Sequence, residues 1–471
     1  MTPRRGDAGR GPGALRDETP AQSGAILAAL LLGALVLRLA IAYVLFPHSG
    51  FRVDIGSFAS WGATLARYGP GGFYTNAGFA DYTPGYLYVL WLYEGVSQWV
   101  GQFTGDVPLW LAGEHKLPAI LFDLALGYLI YRALRSWSGE RAGLIGAALY
   151  LFNPVTWYES ALWGQVDAVG TFVMLGAVLL LVAGWSEAAA GTAVLAALIK
   201  PQYAIVLFLV GFVLLGRHLL RPGSGPVARP RHPLAVRLNE ALGGWFVAEQ
   251  GPWRLVSSAA VGLAVLFLVI TPFDLAELAA QKAPWLPIGG DLGGLLVVIG
   301  QAAGLYHYLT VNAHNLWALV GPTPLAWTGV WTSDLLPAIG AIPYVAIGAF
   351  LLAVTLTFLA YQLLVRHDRT SIVVTATVLA VAFFVVPTRV HERYLFPAFA
   401  LGALLAGGSV RWRWWYVALA LANTANLHAN LTNPLYGTAP MAGSRSLVHT
   451  PAQASGVGPT SAHRLWAFTV R

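Results

Sequence analysis

Six short polar runs interrupt an otherwise apolar chain, and each carries residue types that can do chemistry. The first is Val53-Asp54-Ile55-Gly56-Ser57-Phe58-Ala59-Ser60-Trp61, and the second is Ala80-Asp81-Tyr82-Thr83-Pro84-Gly85-Tyr86. Leu162-Trp163-Gly164-Gln165-Val166-Asp167, Lys200-Pro201-Gln202 and Val311-Asn312-Ala313-His314-Asn315-Leu316-Trp317 follow, and Arg389-Val390-His391-Glu392-Arg393-Tyr394 closes the set. Carboxylates such as Asp54, Asp81, Asp167 and Glu392 can accept a proton from a hydroxyl. Arginine, lysine and histidine can hold an anion. Zinc chemistry from His391 and Glu392 lacks the HExxH spacing of metalloproteases, so no metal and no cofactor is expected.

Every one of these residues also has a purely structural reading. Asp54 fits a solvated loop or the N-cap of a helix that continues through Ser57 and Phe58. Asp81 before Tyr82-Thr83-Pro84 is a turn signal. Asp167, with Gln165, fits the first turn of a helix, where an acid complements the dipole. Lys200 could snorkel to an interface. Arg389, His391, Glu392 and Arg393 resist that treatment: ionisable groups crowded between two apolar segments are costly, which favours function.

The elements that must position them are membrane helices. The chain has 471 residues, of which 57% are hydrophobic and only 10% charged, with a mean hydropathy of +0.62. A soluble domain carries roughly 25% charged residues. Eighteen Trp and nineteen Tyr suit two aromatic interface belts. Zero Cys excludes disulfides, a thiolate metal site and a cysteine nucleophile. The net charge of +7 resides in short segments between apolar runs, which fits the positive-inside bias and not nucleic acid. The polar stretch 1–22 reads as a disordered cytoplasmic N-terminus. Ile26 to Phe46 is too long for a signal-peptide core and reads as an uncleaved first helix.

Arginine-bearing breaks at Tyr131–Arg141, Arg217–Arg254, Arg366–Arg369 and Arg411–Arg413 are placed in the cytoplasm. Apolar segments run at about 142–156, 163–184, 188–216, 255–271, 337–365, 370–387, 395–409 and 414–429. Phe51–Asp81, Trp163–Asp167, Pro272–Asn315 and Thr388–Arg393 then fall outside, with a first extracytoplasmic loop at 47–85. Parity requires 188–216 to be two short helices broken at Lys200-Pro201, and Tyr86–Val100 to be an outer-leaflet or partly embedded helix. The expected fold is an all-α, polytopic transmembrane bundle of about 10–14 spans over 23–430, followed by a polar tail at 431–471.

In order and spacing, the runs resemble the GT-C superfamily of glycosyltransferases that use polyprenyl-phosphate sugars. The pattern is nearest to the dolichyl-phosphate-glucose-dependent glucosyltransferases of N-glycan assembly and their bacterial relatives, with the mannosyltransferases alongside. Asp54 with Trp61, then Asp81-Tyr82-Thr83-Pro84, resembles their first-loop Asp and Asp-Tyr-Pro-Pro segment, with Thr83 replacing the first Pro. Val390-His391-Glu392-Arg393 resembles their Val-His-Glu-Lys signature with Arg for Lys. Trp163–Asp167 and Lys200-Pro201-Gln202 resemble the bacterial members, and the resemblance covers about residues 25 to 430.

The resemblance implies transfer of a hexose to an extracytoplasmic hydroxyl on a glycolipid, glycan or protein, by a multi-pass enzyme of the cell membrane. Arg389, His391, Arg393 and Lys200 are then expected to hold the donor phosphate. Asp54 is the expected base of an inverting displacement, and Asp81, Tyr82, Gln165, Asp167 and Glu392 are expected to bind sugar or acceptor. A transporter or flippase for a lipid-linked sugar and a non-catalytic subunit of a glycan assembly complex are the alternatives. The one-sided distribution of polarity and the lack of an internal repeat of the Asp54 loop weigh against transport.

Overall fold

A computed structural model describes residues 20–104, 115–221, 237, 241, 252–320 and 332–432. Of the segment 1–22 expected to be disordered, 1–19 lie outside the described residues and Pro20 already opens the first helix. Residues 433–471 of the expected polar tail and most of the basic stretch between Arg221 and Arg254 lie outside them too.

The described chain is all-α apart from one short hairpin, Pro337–Ile339 with Ile342–Pro343. Five helices are long and apolar enough to cross a membrane: Gln22–Leu45, Lys116–Ser138, Pro201–Leu220, Pro252–Phe273 and Tyr344–Val365. Shorter apolar helices lie among them at Asp167–Val182, Ser186–Ile199, Gly290–Gly304, Arg369–Val385 and Phe396–Gly408. Phe396–Gly408 is buried along nearly its whole length and forms the centre of the bundle. Its neighbours are Glu140–Leu151, Lys116–Ser138, Asp167–Val182 and Arg369–Val385. Tyr344–Val365 stands at the rim, with Phe350, Val354, Phe358 and Tyr361 all more than half exposed.

The break expected within 188–216 occurs at Lys200. Proline disfavours helical backbone in the residue before it and donates no N–H. Lys200 accordingly turns extended (φ −159°, ψ 132°), and Pro201 opens a single 3-10 turn, Pro201–Ala204, that leads into Ile205–Leu215. The polypeptide thus returns to one end of the bundle at Lys200, where Asp167 starts its helix and where Arg369–Val385 ends.

The opposite end gathers Arg217, Arg221 and Arg369. Arg217 donates to the His367 carbonyl, Arg221 to the Val365 carbonyl, and Arg369 lies 5.1 Å over the Trp137 ring.

One segment expected as a helix is longer than expected, and one expected as a loop is largely helical. Tyr86–Val100 belongs to one continuous helix, Pro84–Thr104. It buries Tyr86, Leu87 and Leu90 and exposes Leu92, Trp99 and Phe103. Glycine at position 85 permits its close approach: a Cβ there would lie 2.6 Å from the Leu198 carbonyl oxygen. That contact sets Asp81 and Tyr82 beside Lys200. Pro272–Asn315, read as a loop, contains the helices Leu275–Lys282 and Gly290–Gly304. Its glycines lower helix propensity, while packing of Leu295 and Val298 into the core overrides it.

Candidate active site

At the end of the bundle away from Arg217, Arg221 and Arg369, a cavity of about 420 Å³ opens between the first loop and the segment 386–394. Asp54, Asp81, Tyr82, Lys200, Arg389, His391 and Arg393 line it. Gln165, Asp167 and Glu392 lie directly behind that lining, each 1% exposed. Runs separated by more than three hundred residues of sequence therefore converge on one space.

Asp54 comes from the Arg52–Tyr68 helix, whose N-cap is Phe51 and not Asp54. It lies within the first turn, with its side chain turned toward the bundle. Its Oδ2 accepts from Trp163 Nε1 at 3.1 Å and Gln165 Nε2 at 2.5 Å, and Arg393 Nη1 stands 3.7 Å away. Gln165 precedes the next helix by two residues, since that helix starts at Asp167.

Asp167 is the hub of the second layer. Its Oδ1 accepts from Lys200 Nζ at 3.0 Å, Gln202 Nε2 at 2.8 Å and Tyr203 Oη at 3.0 Å. The Lys200 ammonium also lies 5.3 Å over the Tyr82 ring and 5.8 Å over Tyr394, an arrangement that stabilises a cation withdrawn from water.

The 388–393 segment is held by two backings. Arg389 sits in the left-handed region (φ 64°), and its guanidinium grips Asp334 through Nε at 2.7 Å and Nη2 at 3.3 Å. Thr388 donates to the same carboxylate at 2.9 Å. On the other side, Val311 N donates to the Val390 carbonyl and both Val311 and Asn312 bridge His391. The polar run at Val311–Trp317 therefore supports backbone. Asn315 caps Trp317 N and donates to the Phe384 carbonyl. Next along the segment, Glu392 Oε1 accepts from Arg393 Nη1 at 2.8 Å.

Withdrawal from solvent decides most of the electrostatics. It lifts the Asp81 carboxyl from 3.8 to about 6, against the opposing pull of its own backbone hydrogen bond and of Lys200. Burial also raises Glu392, although Arg393 opposes it. Burial, reinforced by Arg393 and Lys200, holds His391 well below the usual imidazole range, so it is neutral at pH 7. Lys200 is lowered by burial, with Asp167 resisting the shift. Burial works against charge on Arg393 as well, but Asp54 and Glu392 more than offset it and keep the guanidinium ionised.

Several residues outside the sequence-derived set belong here. Trp163 and Gln202, quoted within the runs, bond directly to Asp54 and Asp167. Tyr306 lines the cavity with its ring perpendicular to His391, the centroids 4.6 Å apart. Asp334 is fully buried against Arg389. Glu159 is 1% exposed, and neither carboxylate oxygen has a hydrogen-bond partner among the described residues. A lone acid within the apolar 150–164 stretch was the available signal for Glu159; nothing local marks Asp334. Among the described residues, no three histidine or carboxylate side chains converge closely enough to hold a metal ion.

No family model matches the sequence, and no curated protein does. Solved structures are similar over most of the chain, two of them as follows. The crystal structure of ArnT from Cupriavidus metallidurans bound to undecaprenyl phosphate aligns with 86% of this chain at 17% identity and a TM-score of 0.48. The archaeal oligosaccharyltransferase AglB from Archaeoglobus fulgidus, in complex with an inhibitory peptide and a dolichol-phosphate, aligns with 94% of this chain at 14% identity and a TM-score of 0.41. The chain spans 64% of the length of the first and 53% of the second.

Proposed function

We propose that the chain is an integral-membrane hexosyltransferase that moves a mannose- or glucose-class sugar from a polyprenyl-phosphate donor to an acceptor hydroxyl outside the cell membrane. One observation carries this reading: a carboxylate, Asp54, and a guanidinium, Arg393, face the same cavity 3.7 Å apart. Inverting transfer from a sugar phosphate uses a carboxylate to take the acceptor proton and a cation to hold the departing phosphate, on opposite faces of the anomeric carbon, so the two side chains separate around the bound donor. The acceptor oxygen forms a bond to the anomeric carbon as its proton passes to Asp54. The bond from that carbon to the phosphate oxygen breaks, and its electron pair stays on the phosphate. Arg393 stabilises the charge that develops there. Lys200 and Arg389 contribute positive potential, while neutral His391 contributes one N–H donor. The aromatic rings of Phe58, Trp61, Tyr82 and Tyr306 line the same cavity and offer apolar faces to a sugar ring.

The test uses purified protein in lipid nanodiscs with synthetic short-chain polyprenyl-phosphate mannose and glucose. Transfer is followed by radiolabel, alongside mass spectrometry of lipid-linked and surface glycans in a deletion strain. Asp54→Asn keeps the shape of the side chain and removes proton acceptance. Its turnover should fall by about 10²–10⁴ with donor affinity little changed. Wild-type turnover in Asp54→Asn would refute the assignment of the base.

A further inference from the structure

We infer that Trp163 and Gln165 are positioning residues that clamp Oδ2 of Asp54 and leave Oδ1 as the oxygen that meets the acceptor hydroxyl. The inference rests on the transferase reading and deepens it. It also moves Gln165 from the sugar- or acceptor-binding set to a different task.

A carboxylate on a short side chain rotates easily about its last bond, because that torsion is broad and two-fold. A base must instead hold one lone pair on the line of the departing proton. All three groups that reach Asp54 (Trp163 Nε1, Gln165 Nε2 and Arg393 Nη1) approach Oδ2. Among the described residues no donor reaches Oδ1, and the side chain keeps 16% of its surface open on the cavity side.

The clamp is itself held. Gln165 Oε1 accepts from Val166 N at 3.3 Å, which fixes the amide with its nitrogen toward Asp54. Both ends of that side chain are thus occupied, and it is 1% exposed. Its backbone N–H and that of Gly164 both donate to the Glu159 carbonyl at 2.9 Å, closing a π-helical turn. Gly164 adopts φ 83°, a conformation natural to glycine, and this reversal lets Trp163 and Gln165 flank one target.

The same segment is fastened to the base of the Asp54 helix. Phe51 N donates to the Trp163 carbonyl at 3.0 Å, and the Phe51 and Trp163 rings stack at 5.2 Å. Phe51 is the N-cap and Asp54 lies three residues on, so this anchor sets the direction of Asp54. Around the clamp, Arg393 is the charged group nearest Asp54. Lys200, Asp81 and Glu392 also face it, together with the Tyr82 and Tyr306 hydroxyls.

The experiment compares kcat, donor KM and acceptor KM for Trp163→Phe, Gln165→Met, Asp54→Ala and the pairings of each with Asp54→Ala, in full-length protein in nanodiscs. Trp163→Phe removes only the indole N–H and preserves a ring for Phe51. Gln165→Met removes the donor at nearly constant volume. Each single variant should lose about 10-fold or more in kcat with donor KM unchanged, because misplacement of a base by about 1 Å costs up to 10². In the Asp54→Ala background neither substitution should cost anything further, since each acts through Asp54.

Several results would overturn the inference. One is full rate in both single variants while Asp54→Ala is impaired, which removes the positioning role alone. A raised acceptor KM at constant kcat would return Gln165 to binding, and an undiminished loss in the Asp54→Ala background would show action elsewhere. If Gln165→Met does not fold, Trp163→Phe decides. No transfer by the wild-type chain from either donor would instead refute the transferase reading, and this assignment with it.

Discussion

Lys200 Nζ lies 3.0 Å from Asp167 Oδ1, with the lysine 6% and the aspartate 0% exposed at the side chain. The two meet because Pro201 stops one helix just where Asp167 starts another. A buried pair broken on one side leaves an uncompensated charge, at a cost of about 3–5 kcal/mol. Lys200→Met and Asp167→Asn should each destabilise the chain by that order. The double variant Lys200→Met/Asp167→Asn should cost clearly less than the sum. Thermal unfolding in detergent reads this directly, and additive losses would show that the pair is not coupled.

Arg393 should be the dominant cation for the donor. Its Nη1 is shared between Glu392 at 2.8 Å and Asp54 at 3.7 Å, and it alone among the lining cations stands beside the proposed base. Arg393→Ala should lower kcat/KM by about 10²–10³ and weaken donor binding. Arg393→Lys, which keeps the charge and loses the fork, should be milder. Arg389→Ala should act mainly on stability, because Asp334 already occupies its guanidinium. The comparison needs donor binding and transfer measured on the same preparations. Arg389→Ala losing more donor affinity than Arg393→Ala would reverse the two roles.

The division between what sequence revealed and what it hid follows a physical line. Apolar runs and the Lys200-Pro201 break were legible because span length and proline geometry are local properties. The convergence of Asp54, Asp81, Lys200 and the 389–393 segment was legible because charge in an apolar chain is costly wherever it lies. Partnerships were not. The Asp334–Arg389 grip joins residues 55 apart, and the Trp163–Asp54 contact joins residues 109 apart. The helix Gly290–Gly304 was missed because five glycines suppress the local signal, while its stabilising contacts come from distant chain.

Asp81 supplies a pH dependence with a definite sign. Its carboxyl is raised from 3.8 to about 6 in the folded chain, first by withdrawal from solvent. Between those values the folded state binds more protons than the unfolded state. The protonated group therefore favours folding at low pH, and that contribution is lost as pH rises through about 6. Asp81→Asn removes the titration. The unfolding temperature of Asp81→Asn relative to wild type should rise as pH goes from about 4 to about 7. A constant difference across that range would mean that Asp81 is not perturbed in the folded chain.

The last expectation concerns sidedness. Arg217, Arg221, Arg366, Arg369 and Arg413 lie at the end of the bundle away from the cavity, and Arg221, Arg366 and Arg369 are exposed. At the cavity end, Arg389 and Arg393 are held by Asp334, Glu392 and Asp54. Free basic charge is thus denser at the end away from the cavity, against exposed Arg52, Arg67 and Lys282 on the cavity side, and the positive-inside bias assigns the denser end to the cytoplasm. The chain has no cysteine, so single introduced thiols report without background. Thr75, exposed in the first loop, and Thr370, exposed at the start of Arg369–Val385, mark the two ends. In intact cells a membrane-impermeant maleimide should label Thr75→Cys and spare Thr370→Cys until the membrane is permeabilised. The opposite pattern would place the cavity in the cytoplasm, where an acceptor outside the cell membrane could not reach Asp54.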